Sequence, residues 1–283
     1  MTENLLTHEP TIRLGAFLAM LLAMALWEIA APRRRLDLPR LLRWSNNLGL
    51  VVIDSLVLRL GFPILAGGMA VLAANHGWGL FNWLALPGWV GFALGFLMLD
   101  LAIYAQHAAF HAVPWLWRLH RMHHADQDFD LTTGLRFHPG EIILSMLIKL
   151  ALVLTLGLSA GTVLLFEVVL NATAIFNHAN VRLPAALDRA LRMVIVTPDM
   201  HRVHHSVNPL ETHSNFGFNL PWWDKIFRTY RAQPLDGHEG MTIGLPQFRT
   251  SRDQWIDRML MQPFVNPAAV SPPLAGPAGS DAP

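Results

Sequence analysis

Five stretches of this chain, at about 11–31, 48–74, 87–108, 141–158 and 160–179, are apolar over close to the length that a helix needs to cross a bilayer. A hydrocarbon core of about 30 Å takes about 20 helical residues. Inside lipid every backbone N–H and C=O must be satisfied within its own segment, so such runs fold as helices. The expected fold class is therefore all-α, an integral membrane helical bundle of four to five spans. The last two runs are separated only by Ser159, Ala160 and Gly161, which predicts a tight helical hairpin. Within the first run a short apolar stretch follows Arg13, as in a cleaved signal, but Glu28 and the arginines after it suit a retained membrane helix better. Charged residues make up only 14% of the chain, against about 25% in ordinary soluble domains, which favours the same class.

Orientation follows from arginine, because cytoplasmic loops hold the excess of Lys and Arg. Pro32 to Asn47 carries Arg33, Arg34, Arg35, Arg40 and Arg43. Asn75 to Pro87 has no charged residue and offers Trp78, Phe81 and Trp83 to an interfacial belt. The arginine-rich loop is expected inside, and five passes then put 109–140 and 180–283 inside with it. The chain divides into membrane spans over 1–86, a unit over 87–235 whose cytosolic helical cap carries most of the histidines, an extension over 236–262, and a Pro, Ala and Gly-rich tail over 263–283 expected to be disordered. A net charge of +1 argues against a nucleic-acid partner.

Eleven of the 14 histidines lie between His107 and His213, and the chain has no cysteine. Metal chemistry must therefore fall to His, Asp and Glu, without a thiolate site, a disulfide framework or a thiol nucleophile. Helical periodicity aligns Asp100, Tyr104, His107 and His111 on one face of the third span, and Glu167, Asn171 and His178 on one face of the fifth. Between and after these spans come HRMHH (His120, His123, His124) and HRVHH (His201, His204, His205). On a helix each HxxHH string lets its first and third imidazoles bind one ion while the second faces a neighbouring one. Nine such ligands give two ions four or five nitrogens each, and neutral imidazole suits Fe, Zn, Cu or Ni. The Glu-x-x-His pattern of carboxylate-bridged di-iron bundles does not occur. Asp100 and Glu167 carry charge inside apolar runs, which marks them either as acceptors for a ligand's second ring N–H or as partners of an arginine. His8, His76, His213 and His238 read as ordinary surface or satisfied residues.

The ordered strings DLAIYAQHAAFH, VPWLWRLHRMHH, LRFHPGE, FNHAN, TPDMHRVHHS, SNFG and PWWDKIFRTY resemble the fatty acid hydroxylase superfamily, also called the sterol desaturase family, over roughly 95–232, about half the chain. The resemblance implies a helical membrane fold with a cytosolic cap, and a di-iron centre that uses O₂ as co-substrate to hydroxylate or desaturate a lipid such as a sterol or fatty acid. By motif position its ligands would be His107, His111, His120, His123, His124, His178, His201, His204 and His205. His138 would be a further ligand or supporting residue, with Arg136 and Glu141 as neighbours. Asn180, Asn215 and Asp224 match recurrent polar positions. The sequence departs from the pattern at Arg228, where glycine is common, and at His213, where an acidic residue is often seen. Electrons would come from a separate cytochrome, ferredoxin or reductase, because no haem domain or cysteine set for an iron–sulfur cluster is visible. The alternatives that ligand type leaves open are a non-redox di-zinc membrane enzyme and a metal transport or storage protein.

Overall fold

The computed structural model describes residues 7–265. It is helical throughout, and among the described residues β-pairing is limited to two isolated bridges, Pro32 with Val181 and Ser206 with Ile243. Five helical segments are long and apolar enough to cross a membrane. We label the longer helices α1 (Glu9–Ala30), α2 (Arg40–Gly61), α3 (Ala66–His76), α4 (Gly88–Ala112), α5 (Pro114–His124), α6 (Pro139–Leu156) and α7 (Ala160–Asn177), and the helix of the second HxxHH string α8 (Pro198–His204).

The outward faces show what solvent these helices are built for. On α1, Leu14, Leu18, Leu22, Leu26 and Ile29 recur one turn apart and are all more than half or half exposed. A stripe of that length facing water would be a large uncovered apolar patch, whereas in a bilayer it meets lipid. The opposite face of α1 packs along α7, where Met24 joins Leu131, Leu135, Ile175, Ala179 and Val181 in one apolar cluster.

The second span differs from its expected form at its start and in its middle. Helix α2 starts at Arg40, well before 48, and the chain breaks at Phe62 before resuming as α3. Pro63 explains the break: it lacks an N–H and pushes the preceding residue out of the helical region, and Phe62 is extended at φ −124° and ψ 116°. The early start has a different cause. Arg43 is fully buried and forks onto Asp126 at 2.8 and 2.7 Å, while also bonding Asp130 and Thr133, so the first turns of α2 belong to the cap rather than to a loop.

Helices α6 and α7 form the expected hairpin. Gly157 closes α6 in the left-handed region at φ +69°, and Ser159 caps α7 by accepting from the Thr162 N–H. The turn is packed so closely that a Cβ on Gly79 would lie 2.1 Å from the Gly157 nitrogen. An apolar core of Ala66, Ala70, Leu99, Val153, Val163 and Phe166 joins α3, α4, α6 and α7 at this end. The other end carries the cap. It is made of α5, the 3-10 turn Thr133–Leu135, α8, Trp222–Ile226 and the segment from Ser251 to Phe264. Of the tail expected over 263–283, Pro263 and Val265 are held by hydrogen bonds from Arg118 (2.6 Å) and Arg121 (2.5 Å), and 266–283 lie outside the described residues.

Candidate metal centre

Four elements bring nine imidazoles to one point at the cap end of the bundle. The last turn of α4 supplies His107 and His111, α5 supplies His120, His123 and His124, the C-terminus of α7 supplies His178, and α8 with its C-cap supplies His201, His204 and His205. All nine are buried, and they fall into two groups whose ring nitrogens lie within 4.8 Å of one another: His107, His111, His120, His124 and His204 in the first, and His123, His178, His201 and His205 in the second. Each HxxHH string is shared between the groups. In HRMHH the outer pair joins the first group and His123 the second; in HRVHH the outer pair joins the second and His204 the first.

Five of the nine rings have their outer nitrogen partnered, while Nδ1 of His111 and of His201 is buried without a partner. The Nδ1–H groups donate from His107 to Phe216 O (2.8 Å), from His120 to Glu141 (2.8 Å), from His178 to Ala174 O (2.7 Å), from His204 to Ser214 O (2.7 Å) and from His123 to Arg136 O (3.3 Å). These acceptors assign the proton to Nδ1 and leave Nε2 as a bare lone pair aimed inward. The Nε2 atoms of His107, His120 and His204 are buried without any partner, as are both nitrogens of His205. His178 Nε2 faces His123 Nε2 at 3.3 Å and His201 Nε2 at 3.1 Å, and His111 Nε2 faces His124 Nε2 at 3.1 Å. Lone pairs crowded together in a dry pocket are costly unless a cation lies between them. Ligands opposed across an ion at about 2.1 Å stand about 4.2 Å apart, close to the span of each group.

For six of these rings protonation does not compete with a metal. Burial, reinforced by repulsion from neighbouring imidazoles, holds His123, His124, His201, His204 and His205 well below the ordinary histidine range, and burial takes His178 down to about 3. Neutral rings are the form that binds metal. The donor set and its orientation therefore fit metal ions.

The supporting residues divide into those that touch the histidines and those that do not. Glu141 accepts from the His120 Nδ1–H at 2.8 Å. Arg136 is fully buried and donates to Met122 O (2.7 Å) and Gln254 (2.5 Å), fixing the carbonyl that faces His123. Asp224 accepts from the Phe216 and Gly217 N–H groups, both at 2.8 Å, and from Thr229, which in turn meets the Tyr104 hydroxyl at 2.9 Å. Tyr104 thus reaches His107 only through the loop whose Phe216 carbonyl its chain of bonds holds. Asn215 sits at φ +53° and clamps that loop to Met200 O and Arg231 O, both at 2.8 Å. Asn180 ties the first linker to α7 through Arg34, donating to its carbonyl and accepting from its N–H at 2.9 Å each.

Four expected participants lie elsewhere. His138 joins neither group: its Nδ1 accepts from the Gly140 N–H as the cap of α6, and its Nε2 lies 3.3 Å from Leu260 O. Asp100 accepts from Trp223 Nε1 at 2.7 Å, and Glu167 pairs with both Lys149 and Arg13. Both share a helix face with a histidine, but two or three turns put them beyond side-chain reach, so of the two expected roles Glu167 takes the arginine partner and Asp100 takes neither, binding an indole. Asn171 is exposed. The carbonyls of Ala174, Ser214 and Phe216, which do orient rings, carry no signal in sequence.

Polytopic helices around a buried double imidazole cluster define an integral membrane protein with a histidine-rich metal-binding centre. Residues 92–229 match the fatty acid hydroxylase family, and the chain belongs to that superfamily. Alkylglycerol monooxygenase of Homo sapiens is 29% identical over 165 residues, covering 56% of this chain and 35% of that protein. An ornithine lipid hydroxylase of Rhizobium tropici is 30% identical over 146 residues, covering 50% and 42%. Cholesterol 25-hydroxylase of Rattus norvegicus is 26% identical over 165 residues, covering 53% and 54%. The matched regions thus span 35% to 42% of the length of the first curated relatives. No solved structure matches.

Proposed function

We propose that this chain is a membrane lipid hydroxylase whose two histidine groups each hold one iron ion, with five and four nitrogen ligands. The observation that carries the reading is the pair of buried imidazole sets, whose ring nitrogens converge within 4.8 Å and in part have no hydrogen-bond partner. When bound, the iron pair supplies O₂ activation with electrons from a separate donor, and a C–H bond of the lipid gains oxygen. The named relatives are hydroxylases or monooxygenases, which favours hydroxylation over desaturation.

The protein's own part is to orient and to exclude water. Glu141 and the carbonyls of Phe216, Ser214, Ala174 and Arg136 lock the rings, so little reorganisation accompanies metal binding. The second group has no exposed surface at all. The arginines of the first linker and the cap support a cytoplasmic position for this face.

Lipid mass spectrometry of a host expressing the chain, compared with the His204→Ala variant, tests the reading. A lipid heavier by one oxygen, absent with the variant, is expected. A lipid lighter by two hydrogens would make the enzyme a desaturase, and identical lipid profiles would contradict lipid oxidation in that host.

A further inference from the structure

One imidazole at the edge of the cluster has no place in either group. His213 closes the short helix Pro209–Thr212 and is exposed. Its ring meets His111 edge to face, at 90° and 5.5 Å between centroids, and lies 6.4 Å from Trp117. Among the described residues its side chain makes no hydrogen bond. The backbone on either side holds it in place. The His213 N–H bonds Pro209 O at 3.1 Å, and the next carbonyl, that of Ser214, accepts from His204.

The rest of the cluster offers water a narrow approach. The second group, His123, His178, His201 and His205, is fully buried, and within the first group His111 is the most exposed, at 7%. Trp117 covers His111 and His124 at 4.8 and 5.3 Å between ring centroids. A hydrated cation can give up water only as donors replace it, because stripping an ion before it meets a ligand carries the full desolvation penalty. His213 is the exposed imidazole that touches this cluster, and the ring it touches is the cluster's most accessible one.

We propose that His213 is a transient outer ligand that passes a divalent metal ion from water to His111 and the first group, and that the second group fills through the first. The inference rests on the reading of the nine histidines as a metal centre, but assigns His213 no place in the loaded site. It is a site of passage, so removing it changes how fast metal arrives rather than how much is held.

Metal uptake by purified full-length apo-protein in detergent tests this, with Co(II) as probe, followed by absorbance and by metal analysis of the final product. The unmodified chain should load in two phases. The His213→Ala variant should load several-fold more slowly in both phases and reach the same final stoichiometry, and His213→Asp, which keeps a ligand there, should recover much of the rate. Thermal melting of both variants checks that the exposed substitution leaves the fold intact. Equal rates for the unmodified chain and His213→Ala would overturn the proposal, and a lower final stoichiometry would make His213 a resident ligand and overturn it as well. Failure of the unmodified chain to take up any metal would instead overturn the metal-centre reading itself.

Discussion

Glu141 shows how much of the site one side chain controls. Its carboxylate holds His120 at 2.8 Å from the far side of the ring, which fixes both the tautomer and the direction of the lone pair. Replacing such a partner costs about 10- to 100-fold in metal affinity, so Glu141→Gln should bind metal that much more weakly in a chelator competition, while Glu167→Gln, remote from the rings, should leave affinity unchanged. Keeping these rings neutral also ties stability to pH. A histidine whose folded pKa is depressed takes its proton more readily once unfolded. Its contribution is therefore present above the ordinary value of 6.5 and is lost as pH falls towards the folded value, about 3 for His178 and about 4 for His238. Each such group can cost up to about 1.4 kcal/mol per pH unit, so the apo-protein's Tm should fall steeply between pH 6.5 and about 5, before most carboxylates titrate. A flat Tm across that window would contradict neutral burial, and added metal should raise Tm throughout. The nine buried histidines were legible because residue type and spacing state both chemistry and direction. Glu167 takes the second of the two roles its place in an apolar run allowed, the arginine partner, while Asp100 meets an indole instead, because periodicity reports which face a side chain shares, not what it reaches.

Between elements, the site depends on close approaches that few residues permit. Gly134, in the 3-10 turn behind the second group, lies so near α7 that a Cβ there would sit 2.3 Å from Ala174 O and 2.9 Å from His178 Nδ1. Gly134→Ala should therefore displace His178 and lower metal occupancy of the second group, read as a loss of bound metal with the first group still filled. The same turn is anchored within the cap by Arg43, which is fully buried on Asp126 and Asp130. Removing one partner of a buried ion pair costs about 3–5 kcal/mol, so Arg43→Ala should lower thermal stability by that order, whereas Arg252→Ala, whose Asp257 pair is exposed, should cost less than about 1 kcal/mol. From sequence, Arg43 counted only as part of a basic loop. Its role depends on a pairing with Asp126, 83 positions away, that no local pattern records. Arg228 is the opposite case. It sits at φ +62°, in the left-handed region where glycine is at ease, so the departure noted at that position coincides with a real backbone constraint.

At the scale of the whole molecule, the bundle is a scaffold that delivers helix ends to one face. Helices α4 and α7 bring histidines at their C-terminal ends, while α5 and α8 are short helices packed against them. The number of spans and the gathering of histidines at one end were readable from hydropathy and residue type, because the bilayer imposes both length and polarity. The division of the ligands into five and four needed three dimensions, since it depends on how two HxxHH helices interleave. A chain without cysteine is convenient for testing orientation. Single cysteines at the exposed cap positions Leu210 and Leu235 should react with a membrane-impermeant maleimide only after the cytoplasmic face is opened. Labelling of intact cells would place the cap outside. The central claim, that this fold holds a pair of irons in two histidine groups, is tested most directly by metal analysis and Mössbauer spectroscopy of protein made in iron-replete cells. Two irons per chain, reduced to about one or fewer by His204→Ala, are expected from the shared strings. Stoichiometric zinc in active protein, or a chain that holds no metal at all, would contradict it.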